Sequence, residues 1–165
     1  GYAMIDALEI AKRFDLDGEP VDAKPYGCGH INDTYCVCCH REEKPQRRYI
    51  LQRVKSNVFK NVPELMDNMS RVMLQLVPDK AGAPYLQDGE GGYWRCFIFI
   101  ENAVTFQTVE KPEHFYYSAC AFGKFQRLLA DFPAATLHEV IPHFHDTASR
   151  YRDFERAMEQ DVLGR

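Results

Sequence analysis

The stretch YGCGHINDTYCVCCH, Tyr26 to His40, carries a glycine turn followed by a run of strand-forming residues. Gly27 and Gly29 have no side chains to hold an anion away from backbone N–H groups, so a turn built on them between antiparallel strands can cover a phosphate. Asn32 stands where a third glycine would complete G-x-G-x-x-G, and asparagine tolerates a left-handed backbone. Taken alone, G-x-G is also what a plain tight turn contains. Thr34, Tyr35 and Val37 then favour a strand, where a dinucleotide-binding fingerprint requires a helix. The stretch also offers Cys36, Cys38, Cys39 and His40 as soft metal ligands. Strand alternation sends Cys36 and Cys38 to one face and Cys39 to the other, and no second C-x-x-C knuckle exists. Thiols packed as small hydrophobes explain the run, so no metal site is expected.

Outward from this stretch, the hydrophobic pattern sets the fold class. Ile5, Leu8, Ala11 and Phe14 recur at three-residue steps and predict a short helix before the DLDGEP break. REEKPQR reads as a charged hairpin connection to a second strand, RYILQRV. In NVPELMDNMSRVMLQL, Leu65, Met69, Val72 and Leu76 share a helical face with Met66 and Met73 beside it, capped by Asn61 with Pro63 in the first turn. PDKAGAPYLQDGEGG predicts turns only, and YWRCFIFIE a strand buried on both faces. A helix follows from Glu113 to Leu129 and stops before Pro133. A last helix places Tyr151, Phe154 and Met158 on one stripe, with Asp146 or Thr147 as its cap. Strands with one intervening helix, then helices only, indicate an α+β layout with an antiparallel sheet.

Composition bounds the function. The chain has 165 residues, enough for one domain or two small lobes, with a net charge of −4 that argues against a general attraction to nucleic acid. No stretch is long enough to span a bilayer, and GYAMIDALEIAKRF is broken by charges where a secretory signal needs an apolar core. The expected location is cytoplasmic, with most of the six cysteines reduced. His143, His145 and Asp146 in HFHD lack the i, i+4 spacing of a helical zinc pair, and as loop residues they read as backbone partners or as substrate contacts.

Three features in order, GCGHINDTY, YILQRV and VFKNVPELMDNMSRV, resemble the N-terminal lobe of the aminoglycoside phosphotransferase and choline kinase superfamily, most of all its N-acetylhexosamine 1-kinase branch. The similarity continues through WRCFIFIENAVTF, AFGKFQRLLADFP and IPHFHDTASRY, and so covers nearly the whole chain. It implies a protein-kinase-like lobe with a five-stranded antiparallel sheet and its helix over residues 1–102, ending in a hinge, and the start of a helical lobe over residues 103–165. By the same resemblance Gly27, Cys28, Gly29, His30, Ile31 and Asn32 cover the phosphates of ATP. The YILQRV strand supplies a polar group to those phosphates: Arg53 is the first choice and Gln52 the rival, because a slip of one residue exchanges their faces. Asp67, or else Glu64, is the acid on the helix that pairs with the cation, against the alternative of a solvated first turn complementing the helix dipole. Phe99, Ile100, Glu101 and Asn102 receive adenine, and His143, His145, Asp146 and Arg150 are candidate sugar contacts, with capping and loop packing as the alternative.

The catalytic aspartate, its nearby asparagine and the magnesium-holding aspartate of that superfamily find no matching motif here, and LHEV does not replace them. The expectation is an N-terminal portion of a longer enzyme that uses ATP and Mg2+, inactive alone, with a truncated apolar face that a second copy could cover. A non-catalytic nucleotide-binding module, or choline, homoserine or an aminoglycoside as acceptor, are the competing readings.

Overall fold

The computed structural model describes residues 6–27, 31–72, 76–104, 106, 108–160 and 164. Ile5, Cys28, Gly29, His30 and Met73, all used above, lie outside them. The described residues form an α+β structure with six strands in one antiparallel sheet and four α-helices. The strands are β1 (Glu19–Pro25), β2 (Asn32–His40), β3 (Arg47–Val54), β4 (Leu76–Val77), β5 (Leu86–Gln87) and β6 (Tyr93–Ile98). The helices are α1 (Ala7–Ala11), α2 (Val62–Val72), α3 (Pro112–Leu128) and α4 (Thr147–Gln160). The order across the sheet is β1-β2-β3-β6-β4, and β5 also pairs with β6.

Alternation divides the sheet into two faces with different occupants. Val37, Cys39, Tyr49, Leu51, Trp94 and Cys96 point to the face covered by α1 and Phe14, and all are buried. Val54 points to the other face, where it packs with Val62, Leu65 and Met66 of α2. α2 begins as the sequence predicts, with the Glu64 amide donating to Asn61 Oδ1 at 3.2 Å and Pro63 in the first turn, where a missing N–H costs nothing.

Three local expectations are corrected. α1 starts only after the Asp6 cap, whose Oδ1 accepts from the Leu8 amide at 2.9 Å, so its buried face is Ala7, Ile10 and Ala11, continued by Phe14, and Leu8 is only half-buried. Leu76 is not on α2 but in β4, opposite Phe97, and packs against the α2 core from the sheet. The turn-rich segment contains β5, paired with Tyr93 and Trp94 through Leu86 and Gln87.

Beyond the sheet, α3 and α4 bury no residue, and Phe115, Tyr116, Phe122, Phe125, Tyr151 and Phe154 stand exposed. The segment between these helices returns to α2. There Asn68 and His138 exchange side-chain-to-backbone hydrogen bonds of 2.7 and 2.8 Å, Arg71 donates to the Thr136 carbonyl at 2.8 Å, and Val140 packs against the α2 cluster. No described helix is long and apolar enough to cross a membrane.

Candidate functional site

The strand register lines up one polar row on the α2 face. Thr34 of β2 faces Gln52 of β3, and Gln52 faces Arg95 of β6. Gln52 Nε2 donates to Thr34 Oγ1 at 3.1 Å, and Gln52 Oε1 accepts from Arg95 Nε at 3.0 Å. The row reaches the glycine turn, because the Tyr26 amide donates to the Thr34 carbonyl at 2.9 Å and Gly27 follows with φ +78°. A side chain at Gly27 would meet none of the described residues within 4 Å. Asn32 makes no second shoulder; its Oδ1 accepts from the Lys55 amide at 3.2 Å and ties the start of β2 to the end of β3. Ile31 is exposed.

Arg53 points the other way. Its Nε lies 3.6 Å from Asp88 Oδ2 and its Nη2 3.9 Å from Glu90 Oε2, and it sits over the Trp94 ring at 6.0 Å. Asp88 is the centre of this back-face turn. It accepts from Trp94 Nε1 at 2.7 Å, the Gly92 amide at 2.7 Å and the Glu90 amide at 2.9 Å. Burial alone would raise the Asp88 carboxyl, but these donors and Arg53 outweigh it and hold the group below its usual range. Of the two polar residues proposed from YILQRV, Gln52 is the one on the α2 face.

Asp67 and Glu64 are not opposite either of them. Asp67 Oδ2 is 3.0 Å from His138 Nε2 and 3.8 Å from Arg71 Nη1, and Glu64 Oε1 is 3.9 Å from His138 Nδ1. The α2 residue that reaches the polar row is Met69, whose Sδ lies 2.7 Å from Arg95 Nη1.

The residues expected at adenine form an aromatic wall at the end of β6. Phe99 meets Tyr26 edge-on at 5.5 Å, and the Arg48 guanidinium lies over the Phe99 ring at 4.0 Å. Arg48 holds Glu101 by two hydrogen bonds, the Nε–Oε1 one at 2.9 Å, which keeps the Glu101 carboxyl low. Asn102 takes the left-handed turn at φ +58°, and Ile100 is exposed. A surface cavity of about 360 Å3 opens beside this wall, lined by Arg48, Phe99 and Glu101 among others.

His143, His145, Asp146 and Arg150 gather at the start of α4, not at the row. Asp146 caps the helix by accepting from the Ser149 amide at 2.9 Å, His143 Nδ1 lies 3.7 Å from Asp146 Oδ2, and His145 and Arg150 both meet the Phe144 ring. Among the described residues no three His, Cys, Asp or Glu groups assemble as a metal site. In the thiol run Cys39 is fully buried while Cys36 and Cys38 are half-buried, and burial pushes the Cys39 thiol up to about 11 and that of Cys96 to about 12.

Arg95 is the residue of this site that the sequence analysis does not select. Its signal was present, since it is the one charge inside YWRCFIFI, the most strand-like run, and alternation puts it on the face of Tyr93 and Phe97. Compared with models of known protein families, the chain matches none.

Proposed function

We propose that the chain is the ATP-holding portion of a small-molecule kinase that transfers the γ-phosphoryl group to a sugar hydroxyl, with the anomeric hydroxyl of an N-acetylhexosamine as the acceptor the resemblance implies. One observation carries the reading: the sheet face that presents the Thr34–Gln52 row also carries the Tyr26–Phe99–Arg48 wall, and Gly27 follows Tyr26 directly, with no described residue within 4 Å of where its side chain would be. Each part has a use for a nucleotide. Aromatic rings and a guanidinium plane stack on a purine. The Thr34 hydroxyl accepts from Gln52, so its own proton is free to donate to a phosphate oxygen. Backbone amides at a glycine turn add donors without side-chain bulk.

The donor set fits a triphosphate better than a bare cation, because hydroxyl, amide and guanidinium groups gather there and the described residues bring no carboxylate cluster to them. Magnesium, when bound with the phosphates, would neutralise their charge. This chain's own residues position the nucleotide, and the acceptor-orienting aspartate of the superfamily has no counterpart among them, so the chain alone is expected to bind without turnover.

Isothermal titration with Mg·ATP tests the reading. Ile50 lies between Cys36 and Phe97 on the face of Gln52, and saturable binding by the wild type, lost in Ile50→Trp because the new ring would fill that face, supports it. Absence of wild-type binding, or equal binding by Ile50→Trp, overturns it.

A further inference from the structure

On the α2 face β3 presents Arg48, whose charge Glu101 answers, and the neutral amide of Gln52; the positive charge beside Gln52 stands one strand away, on Arg95. Arg95 is 8% exposed, yet no Asp or Glu among the described residues lies within ion-pair distance of it. Its contacts are the Gln52 oxygen on Nε, the Met69 thioether on Nη1, and the Phe97 ring at 5.3 Å from the guanidinium carbon. A thioether is a weak acceptor and carries no charge. Nη2 has no partner among the described residues. It is not sealed either, since the only fully enclosed side-chain nitrogen or oxygen without a hydrogen bond among those residues is His114 Nδ1.

A guanidinium taken out of water without a counter-charge is costly, and proteins tolerate it where a ligand supplies the charge. Burial lowers the Arg95 guanidinium to about 10, so it keeps its proton at neutral pH. Gln52 is the brace: by accepting from Nε it fixes the plane of the guanidinium, and no described group accepts from Nη2. A planar fork with free N–H groups matches the oxygens of a phosphate. Thr34, two strands from Arg95 and ~10 Å away across the sheet, lies at the other end of the same row, so the donors are spread over the length of a chain of phosphates more than gathered around one.

We propose that Arg95, braced by Gln52, is the anion-holding residue of the α2 face and that its ligand is an oligophosphate, with the tail of a nucleoside triphosphate as the natural form. The identity of the nucleotide rests on the reading given under Proposed function; the anion does not. Arg53 cannot take this part from the back face, where Asp88 and Glu90 already answer its charge.

The experiment is isothermal titration of the whole chain with tripolyphosphate, Mg·ATP and adenosine, for wild type, Arg95→Met, Arg95→Lys and Arg53→Met. The expected result is that Arg95→Met weakens tripolyphosphate and Mg·ATP by about tenfold or more, the loss of a charge-assisted fork, leaves adenosine unchanged, and that Arg53→Met behaves as wild type. Arg95→Lys, which keeps the charge and loses the fork, is expected to fall between. Should Arg95→Met be misfolded by circular dichroism, Gln52→Leu and Arg95→Lys carry the test, both weakening tripolyphosphate. Mg·ATP bound equally by wild type and the Arg95 variants would overturn the inference and leave the nucleotide reading intact. Arg95-dependent binding of tripolyphosphate without any binding of ATP would keep the anion site and remove the nucleotide. A wild type that binds no tripolyphosphate overturns the inference outright.

Discussion

Arg53 and Arg95 sit one residue out of register on neighbouring strands, Arg53 opposite Trp94 and Arg95 opposite Gln52, and that single step puts them on opposite faces with opposite electrostatics. On the back face the guanidinium meets a carboxylate that also ties down an indole and two amides, so the charge belongs to the architecture of a turn. On the α2 face the guanidinium is more deeply buried and meets an amide oxygen and a sulfur. A paired charge explains itself by the fold it holds; a buried charge left without a counter-ion asks for one from outside.

The comparison breaks most visibly at Asp88. Asp88→Ala strands the buried Trp94 N–H and two amides and is expected to cost about 3 kcal/mol in urea unfolding, with tripolyphosphate binding unchanged in the fraction that remains folded. A variant as stable as wild type would show that the back-face turn is not the structural site described. Gly92→Ala attacks the same pair from the backbone, because its Cβ would come within 2.6 Å of Arg53 Nε and Asp88 Oδ2. It is expected to lose about 1–3 kcal/mol, the range for a disturbed buried pair.

Replacing the two arginines in turn sharpens the contrast. Arg53→Met removes the cation beside Asp88, which keeps its three hydrogen-bond donors, and a loss of about 1 kcal/mol is expected. Arg95→Met is expected to change the stability of the ligand-free chain by less than that, or to raise it, since it exchanges an unpaired buried charge for an apolar side chain. The reverse order would mean that Arg95 is the structural residue.

Acid separates the faces as well. The Asp88 carboxyl titrates lower in the folded chain than in the unfolded one, so its stabilisation is fully present above the unfolded value of about 4 and is lost as pH falls through the folded value. Unfolding midpoints followed from about pH 6 to about pH 3 are expected to fall less steeply in Asp88→Asn than in wild type. Identical slopes would take Asp88 out of the acid response. At the α2 cap, away from both arginines, Asn61→Ala is expected to cost about 1 kcal/mol without altering anion binding.

How much of this was legible in the sequence follows from which signals are local. The strands YILQRV and YWRCFIFI, the Asn61 cap and the Asp146 cap were readable because propensity, alternation and capping act within a few residues. Register across strands is not local. Whether Gln52 or Arg53 faces α2 depends on pairing with β2 and β6, and a one-residue slip reverses the answer. The partners of Asp67 were hidden for the same reason: His138 comes from 71 residues away. Leu76 kept helical spacing with Val72 yet belongs to β4, since an apolar residue serves either core equally well. Arg95 was legible as an anomaly, a charge inside a buried strand, but that no described carboxylate answers it is visible only once the elements are assembled.

The most direct test watches both arginines in one sample. In the chain labelled with 15N-arginine, Mg·ATP is added and the side-chain Nε–H resonances of Arg95 and Arg53 are followed by NMR. The account predicts a saturable shift of the Arg95 signal with the Arg53 signal stationary, reproduced by tripolyphosphate. A shift at Arg53 with Arg95 unmoved, or no shift at either, would contradict it.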